Sequence, residues 1–230
     1  MRAVLAGGKS KRFGKDKLLA IVDGKTSIEM VVENVKPHVL ITTSVERCRL
    51  YWKGPCIIDE GRGPAEAVLE LSGEALIVPG DMPWLKLDTL EMLASFADVL
   101  KADVAAPLFK ESIEFSVIYL KDVNKLKWLK RRKNRPLRMT DFLRAGGRVV
   151  LVGSRLLTRD PVEWAHLNTR TSLLTRTAKG EPCDRIIVYE ARFDPFSPSY
   201  EELRLYRRLG LKILEEHVLK DLSLHQAPGL

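Results

Sequence analysis

Short apolar runs alternate with amphipathic stretches along most of the chain. The runs at 2–5, 39–43, 56–58, 75–78, 104–106, 115–120 and 149–152 are aliphatic or β-branched and end near Gly, Pro or Asp, the pattern of strands covered on both faces. Helical patterns fall between them. Residues 27–35 open at Ser27 and stop before Pro37, and Pro64 stands at a first-turn position of a helix ending near Gly73. Asp88 and Glu91 have capping-box spacing for a helix running to about Phe96, and 138–145 stop at Gly146-Gly147. This alternation predicts an α/β fold: a mainly parallel sheet with helices on both faces.

Residues 176–230 read differently, as a C-terminal extension. They hold one more possible strand at 186–189, a turn-rich Asp194-Pro-Phe-Ser-Pro-Ser linker, and one long helix over about 200–222. Ser199 and Glu202 would start that helix as a second capping box, with Leu203, Tyr206, Leu214 and Val218 at helical spacing. Such a helix is expected to dock on the main body or on a second copy, so a homo-oligomer formed through it is one expectation.

At 230 residues and 45% hydrophobic, the composition excludes intrinsic disorder. No apolar run approaches the roughly 20 residues of a membrane span, and no leader pattern opens the chain. Cys48, Cys56 and Cys183 form neither a CxxC pair nor a metal-ligand spacing. The expectation is a soluble, cytoplasmic protein without disulfides or a membrane partner. The net charge of +8 leaves three readings open: a solvated Lys/Arg-rich surface, a polyanionic small substrate, or nucleic acid.

The segment Leu5-Ala6-Gly7-Gly8-Lys9-Ser10-Lys11-Arg12-Phe13-Gly14-Lys15-Asp16-Lys17 changes that balance. Adjacent glycines after the first strand let bare backbone N–H groups approach a ligand, and five cations follow within nine residues. A polyphosphate site accounts for both features. It is not a P-loop, because five residues separate Gly8 from Gly14 and Asp16 stands where the hydroxyl belongs. Nor is it the Gly-x-Gly-x-x-Gly dinucleotide fingerprint. A second motif, Pro79-Gly80-Asp81-Met82-Pro83, ends the 75–78 strand. In an open parallel sheet ligands lie beyond the carboxyl ends of strands, which puts Asp81 on the same edge as the glycine loop. A carboxylate facing a triphosphate calls for a hard cation between them, and Mg²⁺ with its oxygen ligands is the natural choice.

These two motifs closely resemble those of the nucleotidyltransferases that include molybdenum cofactor guanylyltransferase. The resemblance covers about residues 1–175. It implies a Rossmann-like three-layer α/β/α domain of the nucleotide-diphospho-sugar transferase type, followed by the C-terminal helical extension. It implies nucleotide-binding roles for Leu5, Ala6, Gly7, Gly8 and Lys17, charge stabilisation by Arg12, and Mg²⁺ on Asp81, with Arg12, Lys17 and Asp81 as the catalytic set. Asp59, ahead of Gly61-Arg62-Gly63-Pro64, stands where the family contacts the nucleotide. Thr42 stands where it often has an Asn, and either binds the base or simply ends a strand. Ala165-His166-Leu167-Asn168-Thr169 resembles the family's Asn-x-Asn-Thr-Pro motif with His166 in place of the first Asn. Asn168 is the implied second residue near the metal, or else caps the next helix.

Nine Lys or Arg residues against one acid fill 121–138. A solvated face is the first reading, with Trp128 in the core. By the resemblance, Arg132, Arg135 and Arg138 lie on the acceptor side and meet an anionic pterin phosphate. The implied reaction transfers GMP from GTP to the phosphate of molybdenum cofactor and releases pyrophosphate. Cytidylyl transfer to the same cofactor, guanylyl transfer to a cobinamide phosphate, and a nucleotide-binding regulatory module without turnover remain as alternatives. No nucleic-acid partner is expected; RNA or DNA binding with steep salt dependence would point the other way.

Overall fold

The computed structural model describes residues 1–7, 13, 16–59, 62–131, 135–169, 171–178 and 180–226. Its strands are β1 (Arg2–Leu5), β2 (Ile21–Val22), β3 (Lys25–Thr26), β4 (Val39–Thr42), β5 (Cys56–Ile58), β6 (Ala75–Pro79), β7 (Val104–Leu108), β8 (Ile118–Leu120), β9 (Gly147–Gly153) and β10 (Ile186–Ala191). Its α-helices are α1 (Ser27–Val35), α2 (Val45–Tyr51), α3 (Pro64–Val68), α4 (Leu87–Val99), α5 (Thr140–Ala145), α6 (Ser154–Leu157), α7 (Ser172–Thr175), α8 (Tyr200–Leu209) and α9 (Lys212–Gln226).

β2 and β3 form a small hairpin; the other strands make one eight-stranded sheet in the order β10-β9-β7-β8-β6-β1-β4-β5. It is mainly parallel, with β8 antiparallel to β6 and β7, and β10 antiparallel to β9. Because side chains alternate across a strand, Ala3, Ile41, Ile77 and Leu151 enter one apolar layer under α3, α5, α8 and α9. Val4, Leu40, Leu76 and Val150 enter the other, under α1, α4 and α6. The three-layer α/β/α expectation is met. From β1 the chain moves outward to β4 and β5, then returns across β1 to β6. That reversal is the topological switch point at which such sheets open a crevice.

Several local expectations change. α1 is capped by Thr26 rather than Ser27, in a reciprocal box with Glu29. α4 is capped from a distance: buried Glu163 accepts from the Lys86 N–H at 3.1 Å and the Thr89 hydroxyl at 2.6 Å, so Asp88 is not the cap. The basic stretch forms a 3₁₀ helix, Val123–Arg131, with Val123, Leu126 and Leu129 buried and Trp128 packed against the core. Cys48 and Cys56 are disulfide-bonded, with Cα atoms 6.2 Å apart, which corrects the expectation of no disulfide. The packing of α2 on β5 brings together two cysteines whose spacing carries no motif.

The extension is integral to the fold. β10 pairs along its whole length with β9, and Leu203, Tyr206, Leu211, Leu214 and Val218 are buried in the main core. The expected single helix over 200–222 is instead two, because Gly210 ends α8 at φ +71°. Arg144 of α5 is fully buried and donates to Glu202 of α8 at 2.6 and 2.9 Å and to Asp221 of α9 at 2.6 Å. Arg135 donates to both oxygens of Asp141 at 2.8 and 2.9 Å and to Asp221 at 3.0 Å, and stacks over Phe196 at 4.8 Å. Arg138 lies 3.1 Å from Asp221. Arg135 and Arg138, expected to meet an anionic acceptor, thus meet carboxylates of their own chain; Arg132 lies outside the described residues.

His217 of α9 shares a 2.8 Å hydrogen bond with Thr140 Oγ1. Burial and then Arg138 push its pKa below the usual histidine value, with Arg144 adding to this and Asp141 and Asp221 opposing it. A lowered folded-state pKa means that its contribution is present above about pH 6.5 and is lost as pH falls through the lowered value. The thermal midpoint is expected to drop from pH 7.5 to 5, and by less in His217→Gln. An equal drop in both proteins would exclude this role.

Candidate active site

β1 and β6 are parallel neighbours in register Leu5↔Pro79, and the Gly80 N–H donates to the Leu5 carbonyl at 2.9 Å. The approach is close enough that a Cβ on Gly80 would stand 3.1 Å from that carbonyl oxygen. Gly7 and Asp81, each two residues past its strand, therefore emerge side by side at the same sheet edge. Both line a cleft of about 290 Å³ together with Leu5, Lys17, Glu114 and His166. A larger, open concavity of about 750 Å³ between β10 and α8 shares no residue with it.

Lys17 sits on a one-turn 3₁₀ helix whose N-cap Asp16 accepts from the Leu18 N–H. Asp16 is itself held by Arg47 at 3.0 Å and by the Tyr51 hydroxyl, both from α2. The Asp-Lys pair of the loop thus divides its work: Asp16 anchors the turn, and Lys17 donates to Asp81 Oδ2. On the opposite side, His166 Nδ1 lies 3.4 Å from Asp81 Oδ1, and Nε2 donates to Glu114 Oε2 at 2.8 Å. Glu114 Oε1 accepts from the hydroxyl and the N–H of Ser116. A continuous polar chain, Lys17–Asp81–His166–Glu114–Ser116, crosses the cleft with alternating charges.

Burial alone would raise the Asp81 carboxyl pKa, but hydrogen bonding and charge from His166, and then Lys17, bring it down to about 2. Burial would lower the His166 pKa, yet the hydrogen bonds and charges of Asp81 and Glu114 raise it to about 9. At neutral pH the ring is therefore charged, with Nε2 donating to Glu114 and Nδ1 facing Asp81 Oδ1. Glu114 is held below the usual carboxylate range: burial opposes this, and His166 and then Ser116 outweigh it.

The cleft brings together Leu5, Gly7, Lys17 and Asp81 of the expected set. Ala6, Thr42 and Asp59 do not line it. Ala6 is buried. Thr42 is fully buried and donates to the Ala6 carbonyl at 3.4 Å. Asp59 accepts from the Arg62 N–H at 3.2 Å and shapes the turn before α3. Asn168 stands next to the Leu167 N–H that donates to the Asp81 carbonyl, while its own N–H donates to Ser172 Oγ. Gly8 and Arg12 lie outside the described residues. Glu114 was not foreseen: it sits in a polar turn with no motif around it, and only the fold delivers it to the cleft.

Among the described residues, no three His, Cys, Asp or Glu side chains are arranged to hold a metal ion. Magnesium needs no such set, since it is bound by one or two carboxylates together with water and phosphate oxygens. Asp81, a hard oxygen donor at the cleft floor, fits that role.

Residues 3–148 match the family model described as a MobA-like NTP transferase domain. A probable molybdenum cofactor guanylyltransferase of Aquifex aeolicus is 36% identical over 106 residues, which are 41% of this chain and 53% of that protein. One from Pyrococcus horikoshii is 41% identical over 93 residues, 36% of this chain and 48% of that protein. The chain thus spans about half the length of the curated relatives it matches. Among solved structures, molybdopterin-guanine dinucleotide biosynthesis protein A of Archaeoglobus fulgidus superposes with a TM-score of 0.65 at 21% identity, covering 76% of this chain and 96% of that one. A Methanothermobacter nucleotidyl transferase gives 0.54 at 18% identity, covering 75% and 93%. Both structures support the fold. With the model matched across more than half of its length, the chain belongs to the MobA-like NTP transferase family.

Proposed function

We propose that the chain is a nucleotidyltransferase that transfers GMP from GTP to the phosphate of molybdenum cofactor. An oxygen of the acceptor phosphate attacks the α-phosphorus, the bond to the β-phosphate oxygen breaks, and pyrophosphate leaves. The observation that carries this reading is the cleft at the sheet's switch point, where Gly7 faces Asp81 and Lys17 reaches across to it. The acceptor is already an anionic nucleophile, so catalysis rests on positioning and charge neutralisation, without a dedicated base. Lys17 supplies a cation on a flexible stem at the cleft mouth, and the backbone at Gly7 supplies close approach. Magnesium held by Asp81 would neutralise phosphate charge as pyrophosphate departs.

One observation favours a second reading, nucleotide binding without turnover: Lys17 and His166 already engage both oxygens of Asp81. A pyrophosphate-release assay across four nucleoside triphosphates with molybdopterin-type acceptors tests the two. Release with GTP alone is the expected result. Release with CTP, or with a cobinamide phosphate acceptor, would reassign the substrate. GTP binding without release from any acceptor would favour the second reading.

Among the described residues, a Cβ on Gly7 would meet Thr43 Cγ2 at an ordinary 3.6 Å. Gly7→Ala is therefore expected to change folding stability by less than about 0.5 kcal/mol. On the proposed reading the added methyl crowds the bound nucleotide, and GTP affinity is expected to fall about tenfold, equivalent to about 1.4 kcal/mol. Urea unfolding and GTP titration check the two halves separately; unchanged affinity would remove Gly7 from the site.

A further inference from the structure

We propose that Glu114 and His166 form a positioning clamp that fixes one oxygen of Asp81 and leaves the other free to exchange Lys17 for a divalent cation. This rests on Asp81 as the metal-bearing carboxylate of the proposed function.

The two partners of Asp81 differ in kind. Lys17 reaches Oδ2 on a four-carbon stem that is 20% exposed, and can swing away when another cation arrives. His166 cannot. Its Nε2 is tied to Glu114 at 2.8 Å, and the neighbouring Leu167 N–H donates to the Asp81 carbonyl at 2.9 Å. Turning the ring away from Oδ1 would also strip Glu114, a buried carboxylate, of its 2.8 Å hydrogen bond to Nε2, which is costly in a low-dielectric site. Glu114 is in turn held by both donors of Ser116, and its own N–H donates to the Pro107 carbonyl at 2.9 Å. Without Glu114, no hydrogen bond behind the ring would hold it against Oδ1 when a divalent cation arrives on Asp81. With Glu114 behind it, the ring stays, and Lys17 is the cation released toward phosphate.

The test uses Mn²⁺ alone as a spectroscopic probe of the full chain, titrated by electron paramagnetic resonance. Asp81→Asn serves as the reference without the carboxylate, and GTP affinity is measured in parallel in EDTA. Glu114→Ala is expected to weaken Mn²⁺ binding about ten- to a hundredfold, the usual cost of losing a partner behind a metal ligand. Its GTP affinity in EDTA should fall by much less than its Mn²⁺ affinity. Glu114→Gln keeps an acceptor for Nε2 and should retain Mn²⁺ affinity within about threefold. Should Glu114→Ala fail to fold, His166→Phe keeps the ring volume, removes both donors and should show the same tenfold or greater loss. Parent-like Mn²⁺ affinity in Glu114→Ala or His166→Phe overturns the clamp while Asp81 keeps its role. So does an equal loss of Mn²⁺ and GTP binding, which would mark general damage. If the parent and Asp81→Asn bind Mn²⁺ alike, the metal assignment itself fails and the clamp fails with it.

Discussion

Asp81→Asn is expected to lower kcat for pyrophosphate release about a hundred- to a thousandfold with the fold retained. The asparagine has the same shape and its amide oxygen still accepts one hydrogen bond, so Lys17 or His166 keeps a partner. What disappears is the negative charge, and with it the hard donor for magnesium and the counter-charge between two cations. Removing one such electrostatic group from a preorganised site costs about 2.7–4 kcal/mol of transition-state stabilisation. Asp81→Ala should lose at least as much activity and also some stability, because it leaves His166 and Lys17 facing an empty pocket. Steady-state pyrophosphate release at saturating GTP and magnesium decides the matter. Turnover within twofold of the parent in Asp81→Asn would end the case for this carboxylate.

The largest effect on stability is expected at Arg144. Arg144→Ala leaves Glu202 and Asp221 buried without their principal cation, a change that costs about 3–5 kcal/mol. Whole-domain stabilities are about 5–15 kcal/mol, so the urea midpoint should fall by a large fraction. Arg144→Lys should recover only part of the loss, because an ammonium cannot replace a fork that reaches Glu202 and Asp221 together. A midpoint in Arg144→Ala close to the parent would show that Glu202 and Asp221 do not depend on this cation.

Much of this architecture was legible along the chain because strands buried on both faces have no choice but to be apolar. The 75–78 run announced β6, and the Pro-Gly-Asp that follows placed Asp81 at a strand end. The long-range polar partnerships left no such trace. Arg135 reads as one basic residue among many until a fold brings Asp221, 86 positions later, against it. Glu163 caps α4 from 77 positions away, and no local spacing can register that. His166 stood out only as a departure from a familiar motif. Its meaning depends on Glu114, which the β7–β8 connection carries back to the cleft. The disulfide was hidden for a similar reason: it joins a helix to a strand, and only their packing sets the distance.

Gly210 had been visible all along in the middle of the predicted 200–222 helix. In an unbroken helix, 19 residues of rise at about 1.5 Å each would set Glu202 and Asp221 roughly 28 Å apart. No single guanidinium can span that length. The left-handed turn at Gly210 folds the segment back on itself, so that two acids from opposite ends converge on Arg144. Among the described residues a Cβ at 210 would meet no neighbour within 4 Å, so its cost would be torsional. The convergence of both acids on Arg144 thus depends on the reversal of the chain at this one residue.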